Sequence, residues 1–144
     1  MKKFIYSFKD GGKEMKSLLG GKGANLSEMT KLGLPIPQGF VITTEASMKY
    51  YEEEKKLWKG LKKEIEQNLK NLEAMTGKKF GGDNPLFVSV RSGAAISMPG
   101  MMDTILNLGL NDKTYKLLAT QTGNEQFAFN SYKRFIQMFS EVVY

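Results

Sequence analysis

Val88-Ser89-Val90-Arg91-Ser92-Gly93-Ala94-Ala95-Ile96-Ser97-Met98-Pro99-Gly100-Met101-Met102-Asp103-Thr104 is the stretch on which the reading of the whole chain turns. It opens as a strand over residues 86–90, where large apolar and small polar residues alternate as a pleat with one buried face requires. Arg91 stands at the end of that strand and leads into a loop containing Ser92, Gly93, Ala94, Ala95, Ser97 and Gly100. Small residues let main-chain N–H groups converge on phosphate oxygens, and a guanidinium presents a rigid fork to the same oxygens. The local chemistry is therefore that of a phosphate site. The plainer alternative, a surface cation beside glycines that merely turn the chain, stands next to it.

A second stretch of the same character lies upstream, in Ser17-Leu18-Leu19-Gly20-Gly21-Lys22-Gly23-Ala24-Asn25-Leu26. Its glycines precede a helical pattern in which Leu26, Met29 and Leu32, with Ala24 near the start, share a face. Gly33 and Pro35 end that pattern. Lys22 is thus predicted at or just before a helix N-terminus, where unpaired N–H groups and the helix dipole already favour an anion. The spacing is not that of a Walker motif, and a flexible turn before a helix is the plainer reading of these residues alone.

Around these two stretches the chain alternates short strands and helices. Residues 4–8 read as a strand closed by Asp10-Gly11-Gly12, and residues 40–43 read as another, after a stiff connector with prolines at 35 and 37. Thr44 is the expected N-cap of a helix from Glu45 through Tyr50. A longer helix over about residues 56–75 carries Leu57, Leu61, Ile65, Leu69 and Leu72 as one stripe, read as core packing. Past the central loop, residues 104–109 form a strand, and Asn111 or Asp112 caps a helix that runs to Gly123. The last helix starts at the cap Asn124, with Phe129, Tyr132, Phe135, Ile136 and Phe139 expected on one face. It reaches Tyr144 without a closing polar tail, which reads as a place where a larger protein would continue. That apolar face is expected to drive self-association unless it packs inward.

Composition narrows the functions available. At 144 residues, 41% hydrophobic and 25% charged, the chain is one ordinary folded domain, too short for a large multi-step enzyme. No apolar run is long enough to span a bilayer and the first residues lack the apolar core of a secretory signal, so no membrane role and a cytoplasmic address are expected. The absence of Cys fits a reducing compartment. With no His, the chain has no imidazole for acid–base catalysis or for a phosphohistidine intermediate. The balance of 21 Lys and Arg against 15 Asp and Glu gives +6, but the lysines alternate with glutamates on helical stretches and no basic block interleaves with aromatics. Nucleic acid is accordingly not the expected partner.

Taken together, Gly20-Gly21-Lys22-Gly23-Ala24-Asn25-Leu26, Val88-Ser89-Val90-Arg91-Ser92-Gly93-Ala94 and the run from Ser97 through Gly109 closely resemble the N-terminal nucleotide-binding region of the pyruvate, phosphate dikinases. Phosphoenolpyruvate synthases, rifampin phosphotransferases and glucan dikinases share the Lys segment and the Arg strand, but look less similar in Ser97-Met98-Pro99-Gly100-Met101-Met102-Asp103-Thr104. The resemblance implies an α/β (α+β) fold, the first lobe of an ATP-grasp-like domain, with a mixed sheet and flanking helices. By position, Lys22 and Arg91 match two triphosphate-contacting cations. Gly100, Met101, Met102, Asp103 and Thr104 match a loop that closes over the phosphates, with Thr104 as side-chain donor. The family passes a phosphoryl group from ATP to a His on a swivelling domain, uses inorganic phosphate, and converts pyruvate to phosphoenolpyruvate with AMP and pyrophosphate as products.

What the resemblance leaves out of residues 1–144 is also specific. The second ATP-grasp lobe, the phosphohistidine domain and the C-terminal barrel are absent, so residues 1–144 are read as an incomplete, N-terminal part of the ATP-binding domain. No catalytic residue and no metal ligand set is assigned to this chain. Asp103 is a lone carboxylate where Mg²⁺ accompanying ATP needs one or two plus phosphate oxygens. The full enzyme is expected to be a homodimer. The rival readings are a non-catalytic binding or regulatory module derived from a dikinase, a related synthase-type phosphotransferase and, behind these, a basic nucleic-acid binder with steep salt dependence.

Overall fold

The computed structural model describes residues 1–93 and 104–143. They form two compact units, one built on Met1–Met75, the other on Thr76–Ser92 and the residues from Thr104 onward.

In the first unit, β1 (Ile5–Ser7) pairs antiparallel with β2 (Phe40–Ile42), in the register Ile5↔Ile42, Tyr6↔Val41 and Ser7↔Phe40. A 3₁₀ turn at Lys13–Met15 and helix α1 (Lys16–Lys31) connect the two strands, and α2 (Thr44–Glu52) and α3 (Lys59–Thr76) follow. Phe4, Ile5, Ala46 and Leu61 make the core, with Phe40, Trp58 and Ile65 packed against it. Complete burial of a side chain such as Ile5 contributes roughly 1.5–3 kcal/mol. Trp58 meets Phe4 edge-on at 5.1 Å between ring centroids, and the Lys49 ammonium lies 4.6 Å from the Trp58 ring centre. The Glu64 carboxylate of α3 accepts from the N–H groups of both Phe4 and Ile5, at 3.0 and 3.1 Å. Of the two, the Ile5 N–H is the donor a further strand would need on the outer edge, since Phe4, whose carbonyl accepts from Thr43 N–H, faces β2.

This helps explain why the expected mixed sheet is not what the described residues form. The α+β class holds, but the strands make two separate two-stranded antiparallel ribbons, β1–β2 and a second one described below. Three-residue strands with one edge already occupied offer no ladder to extend.

Helix α1 also buries a different face from the one its large apolar residues suggest. Leu19 and Gly20 are buried at the break, and in the segment after it Gly23, Ala24 and Ser27 are buried at the i, i+1, i+4 spacing of one face, whereas Leu26 and Met29 are half-buried and Leu32 is 69% exposed. Close approach decides this. A Cβ on Gly23 would come within 2.9 Å of Val41 Cγ1, so β2 is nearer to the helix than any larger side chain permits. The helix ends in a Schellman closure, with Leu34 N–H donating to Met29 O and Gly33 N–H to Thr30 O. Two smaller expectations are also corrected. The cap of α2 is Thr43, whose hydroxyl accepts from Ala46 N–H at 3.2 Å, and not Thr44. Leu57 precedes α3 and is 47% exposed, while Leu61 and Leu72 of the same stripe are buried.

In the second unit, β3 (Val88–Arg91) and β4 (Thr104–Leu108) form the other antiparallel ribbon. The one buried face expected of β3 is not formed: Val88 is half-buried and Val90 is 47% exposed, and burial falls instead on Pro85 and Leu86 just ahead of the strand. Asn111 Oδ1 accepts from the N–H groups of Lys113 and Thr114, and its own N–H donates to Thr114 Oγ1, a reciprocal cap that starts α4 (Thr114–Thr122). Asn124 caps α5 (Glu125–Val143) by accepting from Phe127 N–H at 2.9 Å, as expected from sequence. Helix α5 packs on α4 and β4. Its inner face is Ala128, fully buried, with Tyr132, Phe135, Met138 and Phe139 half-buried; Phe129 and Ile136, expected on that face, are 53% and 51% exposed. Tyr132 stacks on Tyr115 and donates its hydroxyl to Asp112 at 2.6 Å, a bond to a carboxylate that raises the pKa of the phenol. No helix of the described residues is long and apolar enough to cross a membrane.

The Ser27 hydroxyl is fully buried and has no hydrogen-bond partner among the described residues. An unsatisfied buried hydroxyl costs about 1–3 kcal/mol. Ser27→Ala is therefore expected to hold or raise the urea midpoint. Gly11→Ala, whose Cβ would press on that hydroxyl and come within 2.7 Å of Leu19 Cδ1, is expected to lower stability by about 1–3 kcal/mol. A loss of stability in Ser27→Ala would mean that the hydroxyl has a partner in solution.

Candidate nucleotide-phosphate site

Lys22 owes its position to a break in α1. Gly20 has φ 72° and ψ 168°, a conformation open in practice only to glycine, so a short turn over residues 16–19 is followed by a separate helical segment beginning at Gly21. Lys22 therefore sits in the first turn of that segment, half-buried, between Gly21 and the buried Gly23. The sequence reading placed it at a helix start, and the break makes this so even though helical residues begin earlier, at Lys16. The first turn of a helix carries N–H groups without intrahelical partners and the positive end of the dipole.

Arg91 owes its position to register. Val88 pairs with Leu108, but Val90 pairs with Ile105 and Arg91 with Thr104, because β4 carries one extra residue between the first and second of these pairs. Asn107 sits in that bulge with φ 58°. Without the extra residue, Arg91 would face Ile105. With it, Arg91 and Thr104 stand opposite one another as the last pair of the ribbon, Arg91 exposed and Thr104 half-buried.

The structure thus brings together Arg91 and Thr104, and it describes Lys22 within the other unit. Gly100, Met101, Met102 and Asp103 lie outside the described residues. Among the described residues neither Lys22 nor Arg91 has a carboxylate within ion-pairing distance, whereas Lys2, Lys3, Lys31, Lys56 and Lys113 all do. Other lysines, Lys9, Lys13, Lys16 and Lys49 among them, also lack such a partner, so what sets Lys22 and Arg91 apart is their position at backbone ends beside small residues, where an anion can approach main-chain N–H groups. No three acidic side chains converge on one position among the described residues. A cleft of about 180 Å³ is lined by Ser7, Lys9, Asp10, Gln38, Asn68 and Asn71, with Phe40, Leu72 and Met75, and includes none of the expected site residues. The Ser7 hydroxyl and, after it, Lys3 hold the Asp10 carboxyl below its ordinary range. Sequence reasoning missed Gly20 as the residue that sets Lys22. The signal was there in the adjacent glycines 20 and 21 inside an otherwise helical run.

A glycine-broken helix turn carrying Lys22 and a ribbon end carrying Arg91 thus stand in the two units of an α+β chain. Residues 16–78 match the family model described as pyruvate phosphate dikinase, AMP/ATP-binding domain, a stretch that begins at the first residue of α1 and ends just past α3. Over 144 residues the chain is 56% identical to pyruvate, phosphate dikinase of Clostridium symbiosum, covering 99% of this chain and 16% of that protein. It is 58% identical over 139 residues to the Entamoeba histolytica enzyme, covering 96% and 16%. It is 56% identical over 135 residues to the chloroplastic enzyme of Mesembryanthemum crystallinum, covering 93% and 14%. The chain belongs to the pyruvate, phosphate dikinase family, and spans about a sixth of the length of these curated relatives.

The Gly20 conformation yields a direct test of the broken helix. Gly20→Ala is expected to cost about 1–3 kcal/mol in urea unfolding, the range for a residue forced into so sparsely populated a conformation. A stability equal to that of the parent would mean that the helix runs straight through residue 20.

Proposed function

We propose that this chain is the first lobe of a dikinase ATP-binding domain and that Lys22, Arg91 and Thr104 hold the triphosphate of ATP. The observation that carries this reading is the pair of cations placed at backbone ends with small neighbours, Lys22 after the break at Gly20 and Arg91 at the end of the ribbon, in a chain 56% identical to a dikinase over its length. Gly100, Met101, Met102 and Asp103 belong to the same proposal as the loop over the phosphates.

Phosphoryl transfer spreads charge over the transferred group and asks the protein for positioning and neutralisation more than for covalent chemistry. Lys22 contributes a mobile point charge beside the N–H groups of its helix turn, and Arg91 a planar fork that engages two oxygens at once. Thr104, across the ribbon from Arg91, supplies a hydroxyl donor. None of these residues accepts the phosphoryl group. In this reading the complete protein transfers it from ATP to a His on a separate domain, uses inorganic phosphate, and converts pyruvate to phosphoenolpyruvate with release of AMP and pyrophosphate. The second ATP-grasp lobe, the phosphohistidine domain, homodimerisation and a cytoplasmic address are further parts of this proposal. The relatives reported above are all named as pyruvate, phosphate dikinases, which favours that reaction over a synthase-type one.

Calorimetric titration with ATP and Mg²⁺ is expected to give measurable affinity that Lys22→Ala and Arg91→Ala each weaken about tenfold or more, the size of a lost charged hydrogen bond. Circular dichroism of both variants controls for folding. The 144-residue chain alone is expected to release no AMP or pyrophosphate. Affinity that neither substitution changes, or turnover by the chain alone, would overturn the assignment.

A further inference from the structure

The break at Gly20 has a consequence for hydrogen bonding one turn earlier. In an uninterrupted helix the Ser17 carbonyl would accept from the N–H of Gly21. That N–H lies on the peptide whose orientation ψ of Gly20 sets, and at 168° it is turned away from the helical direction. The Ser17 carbonyl instead accepts from the hydroxyl of Thr44, at 2.8 Å.

Thr44 is well placed to give this bond, because the residue before it is anchored twice. Thr43 N–H donates to Phe4 O at 3.0 Å, and the buried Thr43 hydroxyl accepts from Ala46 N–H at the start of α2. The Thr44 hydroxyl therefore ties the turn over residues 16–19 to the edge of β1 and to α2. Two arrangements compete for the Ser17 carbonyl. In the broken helix Thr44 satisfies it, and the Gly21 N–H, on the peptide that Gly20 turns, stays outside the ladder and is available to an anion. In a straight helix Gly21 satisfies it, and that donor is spent inside the helix.

We propose that Thr44 is a positioning residue for the phosphate-binding turn: its hydroxyl, by capping Ser17, keeps the helix broken at Gly20 and leaves the Gly21 N–H turned outward beside Lys22. The proposal rests on the nucleotide reading only for what the turn binds; the latch itself is a statement about this chain's backbone.

The test compares the parent chain with Thr44→Val, which removes the donor at nearly equal volume, and Thr44→Ser, which keeps it. Amide hydrogen exchange is followed at Gly21, Lys22 and Gly23, and inorganic tripolyphosphate is titrated calorimetrically. Thr44→Val is expected to slow exchange at Gly21 about fivefold as the straight helix captures its N–H, and to weaken tripolyphosphate binding by a similar factor, the effect of one ordinary hydrogen bond. Thr44→Ser is expected to behave as the parent in both. Simple loosening of the fold would instead speed exchange throughout α1. Unchanged or faster exchange at Gly21 in Thr44→Val, or a Thr44→Ser variant no better than Thr44→Val, refutes the latch. Slowed exchange at Gly21 in a chain whose parent fails to bind tripolyphosphate supports the latch and refutes the nucleotide reading.

Discussion

The backbone of Gly20 is the constraint on which the first unit depends. A residue at φ 72° and ψ 168° cannot continue a regular helix, so α1 starts twice, and its second start places Lys22 in a first turn, at the positive end of the helix dipole. The small residues that follow let this second segment lie against β2 at a distance only glycine at position 23 allows. Position and packing thus meet in this segment, whose face of Gly23, Ala24 and Ser27 gives up apolar area to gain closeness. The core formed by Phe4, Ile5, Ala46 and Leu61 supplies the burial that this face does not.

The second unit solves a different problem with a different device. An arginine at the end of a two-stranded ribbon is positioned by what it pairs with, and the extra residue in β4 makes that partner Thr104. A polar hydroxyl then faces the guanidinium where an isoleucine otherwise would. Elsewhere on the surface the basic excess is partly neutralised by exposed pairs such as Lys2 with Glu45 and Lys113 with Asp83. Such pairs contribute little stability each.

Much of this was legible in the sequence. The order of helices and strands, the Asn caps at 111 and 124 and the glycine stop at 33 follow from local rules that act within a few residues. The choice of Lys22 and Arg91, which stands as a proposal, joined a local signal, small residues flanking a cation, to the resemblance of both stretches to dikinase motifs. What could not be read was set over longer distances. The buried face of α1 depends on how near β2 comes, so Leu26, Met29 and Leu32 misled where Gly23 and Ser27 decide. The ribbon register depends on one left-handed residue, Asn107, whose type permits that conformation without demanding it. The N-cap of α2 lies one residue earlier than expected because Thr43 and Thr44 are chemically equal candidates, and the backbone bond from Thr43 to Phe4 settles which one caps. Phe129 and Ile136 alternate with the packed positions of α5 closely enough that helical periodicity alone could not separate them from Tyr132, Phe135 and Phe139.

The proposed contact of nucleotide phosphates with the turn at Lys22 and the ribbon end at Arg91 is tested most directly by titrating the isotope-labelled chain with ATP and Mg²⁺ and following amide chemical shifts. The largest shifts are expected at Gly21, Lys22 and Gly23 and at Arg91, Ser92 and Thr104. Shifts confined to the cleft lined by Ser7, Asp10, Asn68 and Asn71, with those two stretches unmoved, would contradict it.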